Sequence, residues 1–142
     1  MTKEFNQCLH SRRIFIDPEA VNLADKELES AQQDLKEAED RFKNKKYKYA
    51  THTAYYAYFH TARALVYSCG YRERSHYCLM HAIEELFVKK KTMSMKYARN
   101  FLNSLTLRED ADYAAEYSQD GAEICIKNAK EFIIKTLKIL KK

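Results

Sequence analysis

Glycine and proline are scarce in this sequence, which contains two glycines and one proline among 142 residues. Sheets and their tight turns depend on both residue types, so the chain favours long uninterrupted helices. A chain of this length fits one domain and can bury a core without metals or disulfide bonds. We therefore expect an all-α fold.

Apolar residues recur at spacings of three and four in five separate stretches, as expected for amphipathic helices. The last four of these stretches cover residues 47–69, residues 75–91, and two segments that begin near Ser94 and Ser118. Short loops make consecutive helices antiparallel. We predict an antiparallel up-and-down bundle of about five helices, a four-helix core plus an extra helix. The first stretch carries its stripe on Val21, Ala24, Leu28, Ala31, Leu35, Ala38 and Phe42.

The helix ends have recognisable capping residues. Asp17 can cap the first helix, with Pro18 at its first position, and Gly70 can end the second. Residues 1–16 show no sustained period, so we expect an N-terminal arm or a short docking segment, with residues 17–142 as the helical domain. Further N-caps are expected at Ser75, Ser94 and Ser118.

No run approaches the roughly 20 apolar residues that span a bilayer, and no early segment resembles a secretory signal. We expect a cytoplasmic protein without a membrane partner or a cofactor. The cysteines lack C-x-x-C spacing, so reduced and mostly packed thiols are predicted. They are Cys8, Cys69, Cys78 and Cys125.

The formal net charge is +5, which favours polyanionic partners only slightly. If five helices alternate in direction, the ends of the first, third and fifth lie together and gather twelve of the 17 lysines. Such a pole is explained either by the preference of cations for helix C-termini or by phosphate binding. The lysines are Lys43, Lys45, Lys46, Lys48, Lys89, Lys90, Lys91, Lys96, Lys135, Lys138, Lys141 and Lys142.

The second predicted helix carries a polar, aromatic stripe at spacings of four, four, three and four. Histidine, tyrosine and arginine stack on bases, hold phosphates or line interfaces, whereas a solvated face favours glutamate and lysine. Self-association or half-buried packing is the alternative. The stripe consists of His52, Tyr56, His60, Arg63 and Tyr67.

The turn at 70–76 combines Arg72 and Arg74 with His76 at a helix N-terminus, an arrangement suited to an anion. His76 also fits a packed or capping role. His81 and Cys78 have poor spacing for metal ligands, so no metal site is expected.

Arg108 and Asp112 stand four residues apart and can form an ion pair, with Tyr113 beside them. No G-x-x-x-x-G-K or G-x-S-x-G motif occurs, so the common nucleotide-cradle and hydrolase signatures are missing.

Three segments resemble the HEPN family (higher eukaryotes and prokaryotes nucleotide-binding): AYYAYFHTARAL at 54–65, GYR with SH at 70–76, and LREDADY at 107–113. The likeness extends from about residue 19 to the C-terminus. It implies a helical up-and-down bundle, usually a homodimer, often encoded beside a minimal nucleotidyltransferase as a toxin–antitoxin pair.

Active toxins of the superfamily are metal-independent ribonucleases in which an arginine, four to six residues and then a histidine form the motif. In this chain Arg108 is followed by Asp112 and Tyr113, without a histidine at that spacing. An aspartate is anionic at neutral pH and repels phosphate. The sequence therefore favours a binding module over a ribonuclease.

The predicted function is a dimeric module that pairs with a minimal nucleotidyltransferase and binds nucleotide or RNA. The stripe, Arg72, Arg74, His76, Arg108 and Tyr113 form the predicted binding surface. The first alternative is a ribonuclease toxin, with Arg108, Asp112, His60 and His76 as catalytic candidates. A purely structural interaction domain is the second. By analogy within the family, Tyr113 is a candidate for modification by the nucleotidyltransferase.

Overall fold

The computed structural model describes residues 1–142 and contains six α-helices with one small sheet. A 3-10 turn, Pro18–Leu23, precedes α2, and a π-helical turn, Glu84–Val88, extends α4. The predicted all-α helical bundle is confirmed. No helix is both long enough and apolar enough to cross a membrane. The elements are α1 (Lys3–His10), β1 (Ile14–Ile16), α2 (Ala24–Lys43), α3 (Tyr47–Ser68), β2 (Tyr71–Glu73), α4 (His76–Ile83), α5 (Lys96–Tyr113) and α6 (Gln119–Ile139).

The bundle core consists of the four long helices, with α3 packed against α2, α5 and α6. Tyr58 of α3 is fully buried and stacks on Phe132 of α6, with 4.2 Å between ring centres. Its hydroxyl donates to the Tyr97 carbonyl of α5 at 2.6 Å. At most a few contacts join α2 to α5, and we call the face of α3 that lies between these two helices the α3 groove.

The predicted N-caps Asp17, Ser75 and Ser118 are confirmed, whereas α5 begins after Met95 without a side-chain cap, so the prediction for Ser94 is wrong. Asp17 accepts from the Glu19 amide, and Gly70 follows α3 with a φ of 78°, which favours glycine. The first helical stretch differs in detail, since it starts as a 3-10 turn before α2. Three serines accept from backbone amides near helix starts: Ser75 from Cys78 at 3.3 Å, Ser94 from Lys96 at 3.2 Å and Ser118 from Gly121 at 2.9 Å.

The N-terminal segment is docked on the bundle. Phe5 and Cys8 of α1 are buried, and β1 pairs antiparallel with β2, which places Ile14 opposite Glu73. The N-terminal amine and the Thr2 amide both approach the Glu85 carboxylate. Residues 1–16 thus contact the rest of the chain through α1 and β1.

The prediction of four reduced cysteines is wrong for two of them. Cys8 of α1 and Cys78 of α4 form a disulfide bond across 70 residues of sequence. Spacing along the chain gave no sign of this bond, because the β1–β2 pairing and the α1–α4 packing bring the two together. Cys69 is exposed and Cys125 is buried, both as free thiols.

The predicted lysine pole is also wrong. Lys142 pairs with Asp25 at 2.8 Å, so the chain after α6 ends beside the start of α2 rather than beside its end. Near the other end of α2, Ala38 packs with Cys125, close to the start of α6. The prediction counted the segment after Gly70 as the third helix of the alternation. In the structure, β2 runs back along α3 and is followed by the short helix α4, so α5 is the third long helix and the directions of the later helices are reversed.

Candidate functional site

The first polar pair of the α3 groove joins α3 to α5. His52 Nδ1 lies 2.9 Å from Asp112 Oδ2, and the His52 ring packs against Tyr56 with 5.0 Å between ring centres. Asp112, which the sequence paired with Arg108, therefore has His52 as its nearer partner.

The second pair joins α3 to α2. His60 Nδ1 lies 2.5 Å from Glu27 Oε2, and its Nε2 lies 3.8 Å from Asp34 Oδ2. Burial raises the pKa of Asp34, and the His60 charge opposes that rise. Because a carboxylate of α2 lies near each ring nitrogen, His60 connects α3 to α2.

The third cluster surrounds Glu73 of β2, whose side chain is 4% exposed. Arg63 Nε donates to Glu73 Oε1 at 2.7 Å, and the Tyr67 hydroxyl donates to the same oxygen at 3.1 Å. Burial lowers the pKa of Arg63, but the Glu73 charge and hydrogen bond raise it above its usual value. Burial, followed by the Glu73 charge, raises the pKa of Tyr67 to about 12. These groups form a closed ion pair rather than an open anion site.

Arg108 of α5 lies in the middle of the α3 groove with its side chain 12% exposed. Its guanidinium carbon is 5.1 Å from the Tyr55 ring centre and 5.7 Å from that of Tyr56. Nη1 donates to the Tyr56 hydroxyl at 3.2 Å, whereas Nε is buried without a hydrogen-bond partner. Asp112, already bound by His52, comes no nearer to Nε than 3.9 Å. Arg108 is thus positioned by aromatic rings and incompletely neutralised.

His76, at the start of α4, belongs to the same cluster. Its Nδ1 hydrogen-bonds the Tyr55 hydroxyl, and its ring stacks on Tyr55 and on Phe59. Burial lowers the pKa of His76, and the charges of Arg108 and Arg63 lower it further. His76 is therefore neutral at pH 7 and able to accept a proton.

Three predicted site residues lie away from this cluster. Arg72 approaches Asp17 at 3.7 Å and covers the outer end of the stripe at Tyr67, while Arg74 packs on Phe15 of β1. Tyr113 is 79% exposed at the end of α5.

Sequence reasoning missed the groups that organise the site. Tyr55 links Arg108 to His76, but it belongs to the apolar pattern of residues 47–69 rather than to the polar stripe, and it is fully buried. Glu27 and Asp34 were unnoticed partners of His60. Their seven-residue spacing places both on one face of α2 and was the available signal.

Comparisons with known proteins identify the family of this chain. A model of the HEPN domain matches residues 24–140. The chain belongs to the HEPN family. A relative from Methanocaldococcus jannaschii, named as a candidate toxin, is 32% identical over 115 residues, which cover 80% of this chain and 86% of the relative. The HEPN match spans α2 to α6, so α1 and β1 lie outside it.

Proposed function

We propose that this HEPN protein is a cytoplasmic, dimeric binding module that pairs with a minimal nucleotidyltransferase and binds RNA or nucleotide phosphate at Arg108. The name of the M. jannaschii relative supports a place in a toxin–antitoxin pair. The family match supports the helical scaffold that carries the α3 groove.

The incomplete pairing of Arg108 carries this proposal. His52, His60 and Arg63 each have a carboxylate oxygen within 2.9 Å, but the nearest to Arg108 is 3.9 Å away. Only one of the five guanidinium N–H groups is used, by Tyr56. An arginine held by two rings with free donors is suited to a phosphate, because little freedom is lost on binding.

Substitution of Arg108 tests the proposal. We expect Arg108→Ala to weaken the binding of a fluorescein-labelled single-stranded RNA by about tenfold or more in fluorescence anisotropy at moderate salt, because a charge-assisted contact is lost. Arg99→Ala is the matched control, since Arg99 is an exposed arginine of the same helix. Equal affinity of the Arg108 variant and the native protein, or no RNA affinity at all, would leave the purely structural alternative.

Metal-independent RNA cleavage is a second candidate, because His76 and Arg108 both contact Tyr55. A neutral imidazole can take a proton from a ribose hydroxyl while the guanidinium binds the phosphate. An active enzyme should cut RNA in EDTA and lose this activity in Arg108→Ala and His76→Ala, but not when the exposed His10 is replaced. Binding without cleavage by the native protein would favour the binding module.

A further inference from the structure

Tyr49 extends the polar stripe of α3 by one turn, because it lies three residues before His52. Its side chain is 53% exposed. The Arg41 guanidinium carbon is 6.0 Å from the Tyr49 ring centre, and Lys48 Nζ is 5.7 Å from it. An open aromatic ring with two cations beside it is the combination that single-stranded nucleic acids use for stacking and charge.

A surface pocket of about 400 Å³ adjoins this ring, between the end of α2 and the start of α3. Arg41 is fixed at its wall, because Nε donates to Glu37 at 3.0 Å and Nη1 donates to Thr53 at 3.0 Å. The volume fits a small organic ligand. The lining offers both carboxylates and cationic donors: Glu37, Asp40, Arg41, Asn44, Lys46 and Tyr49.

We propose that this Tyr49 pocket binds one nucleotide of a single-stranded RNA. The base stacks on Tyr49, the carboxylates of Glu37 and Asp40 accept from base N–H groups, and Lys46 and Lys48 bind the backbone phosphates. The inference rests on the proposed function, since Tyr49 lies about 10 Å along the α3 axis from Tyr56, the partner of Arg108. One short strand can therefore reach both places.

The absence of tryptophan from the chain allows a direct test. Tyr49→Trp introduces a single tryptophan whose emission should be quenched by a single-stranded oligonucleotide that stacks on it. Tyr77→Trp is the matched control, because Tyr77 is 58% exposed on α4, away from the pocket. We expect quenching at position 49 and none at position 77.

Affinity supplies the second readout. Tyr49→Ala should weaken oligonucleotide binding about tenfold while Tyr49→Phe retains it, because stacking needs the ring but not the hydroxyl. Circular dichroism checks that the exposed substitution leaves the helices intact. RNA binding that neither quenches the emission of Tyr49→Trp nor weakens in Tyr49→Ala would overturn the inference while leaving the Arg108 proposal in place.

The two proposals fail in different ways. Quenching of the Tyr49→Trp emission together with unchanged affinity in Arg108→Ala would support the Tyr49 pocket and reject the Arg108 site. Adenosine monophosphate serves as a separate probe for a free nucleotide. Quenching by this nucleotide, with none by the oligonucleotide, would overturn the assignment to RNA.

Discussion

At the scale of single residues, His76 shows how the bundle makes a histidine neutral. Its ring is half-buried between Tyr55 and Phe59, and the guanidinium groups of Arg108 and Arg63 oppose its protonation. The pKa of His76 in the folded protein is therefore below its pKa in the unfolded chain. At a pH between these two values, the unfolded chain binds the proton and the folded protein does not. His76 thus contributes stability above the unfolded value of about 6.5, and this contribution is lost as pH falls through the folded pKa.

This gives a test based on the pH dependence of stability. The native protein should lose more of its free energy of unfolding between pH 7.5 and pH 5 than His76→Gln, which has no proton to bind there. Urea unfolding at the two pH values measures the difference, and His10→Gln, at an exposed position, should behave like the native protein. An equal loss in His76→Gln and the native protein would contradict a lowered pKa.

The sequence predicted which residues share one face of α3, but it did not predict their carboxylate partners. The spacing of His52, His60 and Arg63 along one helix placed them on one face. Their carboxylates come from α5, α2 and β2, as far as 60 residues away for His52 and Asp112. Periodicity reports which face a side chain occupies, whereas pairing depends on how helices are arranged in space.

At the scale of elements, α1 and β1 show what periodicity failed to reveal. Eight residues of helix and three of strand are too short for a sustained pattern. They are held instead by the burial of Phe5, by the pairing of β1 with β2 and by the Cys8–Cys78 bond. The four long helices, with patterns of 18 to 22 residues, were recognisable from the sequence alone.

Removal of the disulfide should lower stability without unfolding the bundle. A bond that closes a 70-residue loop is worth about 4 kcal/mol in the chain-entropy model. We expect a reductant to lower the Tm of the native protein, whereas Cys8→Ser starts lower and does not respond to reductant. Cys69→Ser is the control and should respond like the native protein, because Cys69 is a free thiol. The same native Tm with and without reductant would count against a stabilising bond.

At the scale of the whole molecule, the fold separates lysines that the sequence predicted to lie at one pole of the bundle. The lysines after α6 lie beside the start of α2, away from those at the α2–α3 connection. A strand that binds at Arg108 and the Tyr49 pocket therefore meets about three or four cations rather than twelve. For single strands, each neutralised phosphate contributes about −0.7 to the slope of log K against log salt concentration.

The salt dependence of RNA binding should therefore be shallow. We expect a slope of about −2 to −3 in anisotropy titrations, whereas a pole of twelve lysines would give about −8. Replacing Lys46 and Lys48 together with glutamine should make the slope smaller by about 1, because two phosphate contacts are lost. The matched pair Lys141→Gln and Lys142→Gln, at the opposite end of the bundle, should leave it unchanged. A steep slope that becomes smaller when Lys141 and Lys142 are replaced would mean that RNA binds at the end of α6 instead of in the α3 groove.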